Sequence, residues 1–78
     1  MQCFFVQLKT KLGRAYDVAD ELARRELASE VYSTSGEYDL LAKFYVEDAV
    51  DVGHFVNQNL HDIDGIERTY TTLTFKAF

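Results

Sequence analysis

The sequence predicts a single α+β domain whose elements run β-α-β-β-α-β, and three observations carry that prediction. Two segments repeat apolar residues at helical spacing, four are rich in β-branched and aromatic residues, and turns built on glycine and aspartate separate them. The length of 78 residues allows one small domain, residues 1–78, with no linker, repeat or low-complexity stretch. A domain this small buries only about 60% of the surface its unfolded chain exposes, so its own core leaves a thin stability margin.

The elements follow in order. Met1 to Leu8 is apolar on both alternating sets of positions, as a central strand covered on two faces requires. Gly13 opens a segment in which Leu12, Ala15, Val18, Ala19 and Leu22 recur at helical spacing, with Asp17, Asp20, Glu21 and Arg24 on the opposite side. Asp20 with Arg24 and Glu21 with Arg25 form favourable i,i+4 pairs on that helix. The helical pattern fails at Arg25-Glu26, and Glu30 to Thr34 has strand composition.

The Gly36 turn then leads into a strand in which Leu40, Ala42, Phe44 and Val46 alternate with Leu41, Lys43 and Tyr45, so the two strands form a hairpin. Asp48 or Asp51 caps a second helix with Val52, Phe55, Val56, Asn59 and Leu60 on its buried stripe, weakened slightly by Gly53. Past the turn Asp62-Ile63-Asp64-Gly65, the alternating run from Ile66 to Phe78 is the last strand. Right-handed crossovers fold this order into a ferredoxin-like four-stranded antiparallel sheet with both helices on one face. The other face is left bare with Phe4 or Phe5, Tyr45 and Phe75 or its neighbours on it, and a second copy packed sheet to sheet, as in a dimeric α/β barrel, is the economical cover.

Composition points the same way. The chain is 47% hydrophobic, with 6 Phe and 5 Tyr, which is rich for a small domain that must hide this surface without help from disulfides. Cys3 is the only cysteine, read as an inert core residue in a reducing compartment, and the N-terminus lacks a basic segment followed by an apolar one, so the expected location is the cytoplasm. No apolar run approaches the roughly 18 residues of a membrane span. Net charge is −5, and residues 29–78 hold three basic and nine acidic side chains, a poor electrostatic match to nucleic acid. His54 and His61 lie two helical turns apart, roughly 10 Å, and cannot share a metal ion. Glu47, Asp48, Asp51, Asp62, Asp64 and Glu67 lack the alternation of a calcium loop, so neither a metal nor a cofactor is expected.

Two stretches carry the functional reading. Ser35-Gly36-Glu37-Tyr38-Asp39 is a glycine turn rich in hydrogen-bonding groups, and Asp64-Gly65-Ile66-Glu67-Arg68-Thr69-Tyr70-Thr71 repeats that logic before a strand with hydroxyls two apart. A zwitterion needs an acceptor for its ammonium, which Asp39 offers, and donors for its carboxylate, which the Gly36 and Glu37 amides and the Thr69 and Thr71 hydroxyls offer. Read on spacing alone, Gly36 and Asp39 serve equally well to close a hairpin, and the threonines as ordinary strand formers.

The first stretch resembles the Gly-x-Tyr/Phe-Asp signature of the effector-binding domain of the Lrp/AsnC transcription regulators. The second is similar to that family's Pro-Gly-Val-x-x-Thr-x-Thr ending, with Asp64 where proline is common, which leaves the turn less rigid. The resemblance spans essentially the whole chain and implies a ligand-binding domain without the family's DNA-binding helix-turn-helix domain. It further implies dimers assembling into octamer- or decamer-type rings, an amino acid or similar small effector between dimers, possible mixing with full-length family regulators, and no direct contact with nucleic acid or membrane. Ser35, Gly36, Glu37, Tyr38, Asp39, Thr69 and Thr71 are the implied ligand-binding residues. The resulting expectation is a non-enzymatic oligomeric regulatory protein. A cofactor-free enzyme on the same fold, using Tyr38, Tyr70, His54 or His61, would instead carry a pocket between sheet and helices, and a purely structural assembly module would carry no vacant pocket at the seam.

Overall fold

A computed structural model describes residues 1–78. The elements are β1 (Gln2–Thr10), α1 (Ala15–Arg25), β2 (Glu30–Ser33), β3 (Leu40–Val46), α2 (Val52–Asn59) and β4 (Ile66–Leu73). They form one antiparallel sheet of order β2-β3-β1-β4, with β1 central as predicted. The chain is therefore βαββαβ with a four-stranded antiparallel sheet and two helices, the expected ferredoxin-like architecture.

Alternation along the strands divides the sheet into two unlike faces. Phe4, Val6 and Leu8 of β1 and Leu40, Ala42 and Phe44 of β3 are buried together with Val18 and Leu22 of α1 and Val56 of α2. Aromatic packing seats α2 on this face: the Phe4 and Phe44 rings stack at 5.1 Å, and Phe55 meets each edge-on at 5.8 and 5.9 Å. The opposite face carries Cys3, Phe5, Gln7, Leu41, Lys43, Tyr45, Tyr70 and Tyr32, with Tyr70 57% exposed and Tyr45 48% exposed. Phe4 thus belongs to the core and Phe5 to the uncovered face, a distinction that two adjacent phenylalanines hide until the register is known. Cys3 is not a core residue, since it lies half-buried on the uncovered face beside Tyr45.

The structure shifts two boundaries of the sequence reading, settles the open choice of cap for α2 and changes the place of one residue. Leu12 is wholly exposed rather than on the α1 stripe, because Gly13 at φ +78° turns the chain before the helix begins at Ala15. The last strand ends at Leu73, and Phe75 and Phe78 lie in an exposed tail whose start is tied by the Thr74 hydroxyl donating to the Cys3 carbonyl at 2.7 Å. Asp51, rather than Asp48, caps α2 by accepting from the His54 amide at 3.1 Å. Asn59 is only half-buried, its amide donating back to the Phe55 carbonyl at 2.9 Å.

Charged pairs hold α1 to the turn before β4. Arg25 donates to Asp62 at 2.8 Å and Arg14 to Asp64 at 3.1 Å, so the turn is tied at two points by ion pairs. The Arg14 guanidinium holds the Asp64 carboxyl below the ordinary carboxylate range. No helix is long and apolar enough to cross a membrane.

Candidate ligand-binding site

The loop between β2 and β3 is shaped by its own hydrogen bonds. The Thr34 amide donates to the Asp39 carbonyl at 2.9 Å and the Thr34 hydroxyl to the Tyr38 carbonyl at 3.0 Å, closing the hairpin around Ser35, Gly36 and Glu37. Gly36 sits at φ +96° at the exposed tip, and a Cβ there would meet nothing within 4 Å. The glycine answers a backbone demand rather than a packing one.

Asp39 ties this loop to the centre of the sheet. Its amide donates to the Leu8 carbonyl at 2.9 Å, and its Oδ2 accepts from the Thr10 amide at 2.8 Å and the Thr10 hydroxyl at 3.0 Å. Those two donors hold the Asp39 carboxyl below its ordinary range, with Lys9, 3.9 Å away, adding to the effect. Thr10 is the one buried polar residue, and Asp39 is what satisfies it. Oδ1 makes no hydrogen bond within the chain and is the oxygen left for an outside donor.

Across the end of β1, the loop meets β4. Glu37 pairs with Arg68, the Arg68 guanidinium lies 5.5 Å from the Tyr38 ring centroid, and the Tyr38 and Tyr70 rings approach at 6.3 Å. The two stretches are brought together, and Arg68 and Tyr70 make the contact. Neither was among the ligand-binding residues read from the sequence, although strict alternation sets Arg68 and Tyr70 on the face opposite to Thr69 and Thr71.

Thr69 and Thr71 stand opposite Leu8 and Val6 in the register, which turns them to the helix-covered side, where both are half-buried. Thr69 Oγ1 lies 3.3 Å from His61 Nε2, beyond the end of α2. Thr69, His61, Ile66, Glu67 and Arg68 line a depression of about 320 Å³. Asp39, Lys9, Thr10 and Lys11 line a smaller one of about 230 Å³, and Glu67 borders both. Most of the implied residues therefore flank one end of the sheet, Glu37 and Tyr38 above its uncovered face, Thr69 below and Asp39 between, whereas Thr71 lies further along β4, opposite Val6 at the middle of β1.

Two larger grooves lie elsewhere. One, of about 530 Å³, runs between α1 and the Asp62–Asp64 turn and is lined almost wholly by mutually paired charges, including Arg14, Arg25 and Asp62. The other, of about 550 Å³, lies on the uncovered face between Phe5, Tyr45 and the tail at Phe75. No group of three metal-binding side chains occurs.

Comparison with known proteins sets this geometry in context. The family model described as the Lrp/AsnC ligand binding domain matches residues 3–78. The HTH-type transcriptional regulator FL11 of Pyrococcus furiosus is 31% identical over 73 residues, 94% of this chain and 48% of that protein. The chain thus spans about half the length of the curated relatives it matches. The crystal structure of TTHA0845 from Thermus thermophilus superposes with a TM-score of 0.88 at 32% identity, covering 100% of this chain and 98% of that one. A transcriptional regulator from Neisseria meningitidis, NMB0573, crystallised as a complex with L-Met, shares the fold at a TM-score of 0.80 and 18% identity, covering 96% of this chain and 50% of that one.

Proposed function

Because the chain belongs to the Lrp/AsnC ligand-binding domain family, we propose that it is an oligomeric sensor of a small effector, an amino acid, acting in the regulation of transcription or metabolism. The relatives are transcriptional regulators, which supports a regulatory rather than an enzymatic role. The observation that carries the proposal is the convergence of the Gly36 loop and β4 at one end of the sheet, joined by Glu37 with Arg68 and Tyr38 with Tyr70.

At that end, each part of a zwitterion has a counterpart. Asp39 Oδ1 and Glu67 are acceptors for an ammonium, and the donors for a carboxylate lie on both sides of the sheet, the loop amides of Gly36 and Glu37 on the uncovered side and the hydroxyls of Thr69 and Thr71 on the helix side, so subunits that meet at this end present different sets. Ser35 and Tyr38 shape the loop's outer surface. The site is open on a single chain, so closing it falls to another subunit.

Assembly begins at the uncovered face. Phe5, Leu41, Tyr45 and Tyr70 are too apolar a set to remain in water, and a second copy packed sheet to sheet buries them. Dimers then join into an octamer- or decamer-type ring, with the effector at the junction, in the cytoplasm. A ligand that bridges subunits stabilises the assembled form by mass action, so effector concentration is read as oligomer state or as altered contact with full-length family regulators. That the NMB0573 crystal is a complex with L-Met supports an amino acid as the effector class. Calorimetric titration with each standard amino acid, with light scattering on the same samples, tests the proposal. Binding of at least one with a shift in mass is the expected result, and a monomer indifferent to all of them would sink it.

A further inference from the structure

The contact between His61 and Thr69 has a consequence for any ligand held by Thr69. A threonine hydroxyl has one hydrogen to donate and lone pairs to accept with. When the imidazole is neutral and its Nε2 bare, Thr69 directs that hydrogen to His61 across 3.3 Å, and only its lone pairs remain for a ligand. When the imidazole is protonated, Nε2–H donates to Thr69 Oγ1, and the hydroxyl hydrogen is released toward the depression. The direction of one hydrogen bond thus decides whether Thr69 offers a ligand a donor or an acceptor.

The surrounding charges act in the same sense. Glu67 and Arg68 of β4 line the depression with His61. Arg68 is engaged by Glu37, whereas Glu67 makes no ion pair and repels an anion there. From the turn before β4, Asp62 and Asp64 are drawn away by Arg25 at the end of α1 and Arg14 just before its start, at 2.8 and 3.1 Å. The imidazole nearest in sequence is His54 near the start of α2, with His61 beyond that helix's end, and Thr69's partner on β1 is the uncharged Leu8. A charged His61 therefore offsets Glu67 as well as turning the Thr69 hydroxyl, and both changes favour a carboxylate.

We infer that His61 is a positioning residue that sets the hydrogen-bond direction of Thr69, so that carboxylate binding at this site is tighter with the imidazole protonated than with it neutral. This rests on the reading of Thr69 as a ligand contact, and the test separates the two. The standard amino acids, titrated at about pH 5.5 and 7.5, are expected to bind about fivefold tighter at the lower pH. His61→Phe is expected to bind with that difference abolished, whereas His54→Phe retains it. A His61→Phe protein that binds with the wild-type pH profile overturns the role of His61 while leaving the site intact. Unchanged affinity in Thr69→Val at both pH values overturns the site reading, and the inference with it.

A second readout needs no ligand. In imidazole nitrogen NMR of the free protein, neutral His61 is expected with its hydrogen on Nδ1, and Thr69→Val is expected to shift that tautomer ratio. An identical spectrum in the two proteins would overturn the inference even if no amino acid binds.

Discussion

The two glycine turns of this chain read alike in sequence and do different physical work. Gly36 and Gly65 sit at φ +96° and +101°, where a side chain is strained, yet their surroundings differ. A Cβ at Gly36 would stand in open space, whereas one at Gly65 would come within 3.1 Å of Val18 Cγ2 and 3.3 Å of Arg14 Cβ. The Gly65 carbonyl also accepts from the Lys11 amide at 2.8 Å, fastening the turn to the end of β1. One turn is packed into the fold. The other is held at its base and free at its tip, which is the arrangement a ligand loop requires.

The largest expected effect breaks or confirms that contrast directly. Gly65→Ala combines backbone strain with a clash against α1 and is expected to cost about 3 kcal/mol, read as a lowered urea midpoint. Gly36→Ala carries strain alone and is expected to cost about 1 kcal/mol, while weakening amino acid binding by more than Gly65→Ala does among folded protein. Equal losses of stability would erase the distinction between the turns.

Next in size is the acid response. Asp39 and Asp64 both have carboxyls depressed by their folded-state partners, Thr10 in one case and Arg14 in the other. A group whose pKa is lowered on folding stabilises the protein above its unfolded pKa, near 3.9 for aspartate, and that contribution is lost as pH falls through the depressed value. Thermal melting from neutral pH downward should therefore fall below about pH 4, and Asp39→Asn and Asp64→Asn should each flatten the fall. The smallest effect is the response to salt. Added salt should lower stability through the Arg14 pair at the Gly65 turn and leave the hydrogen bonds of Asp39 to Thr10 unaffected. Arg14→Ala should reduce that salt dependence only in part, because the Arg25–Asp62 and Arg68–Glu37 pairs remain, and an unchanged salt response would place the screened charges elsewhere.

How far the sequence foretold this arrangement depends on what each residue's role requires. Element order was legible because alternation and helical spacing are local, and so were the loop from Ser35 to Asp39 and the turn at Gly65. Whether Phe4 or Phe5 enters the core was not, because adjacent apolar residues satisfy either register until β1 is paired with β3. The bond from Thr10 to Asp39 joins positions 29 residues apart and left no local trace. The meeting of Arg68 with Glu37 and Tyr38 was hidden for the same reason, and the end of β4 at Leu73 because Thr74 to Phe78 keeps strand-like composition after pairing stops.

Everything proposed for this protein turns on the end of the sheet flanked by the Gly36 loop and β4 being the effector site. The most direct measurement is amide chemical-shift mapping of the assembled protein as each standard amino acid is added. One or more of them is predicted to perturb residues 35–39 together with Glu67 to Thr71, while Gly65, Val18 and the paired charges around Arg25 stay in place. Perturbation centred on the α1 groove instead, or none with any amino acid, would contradict that assignment.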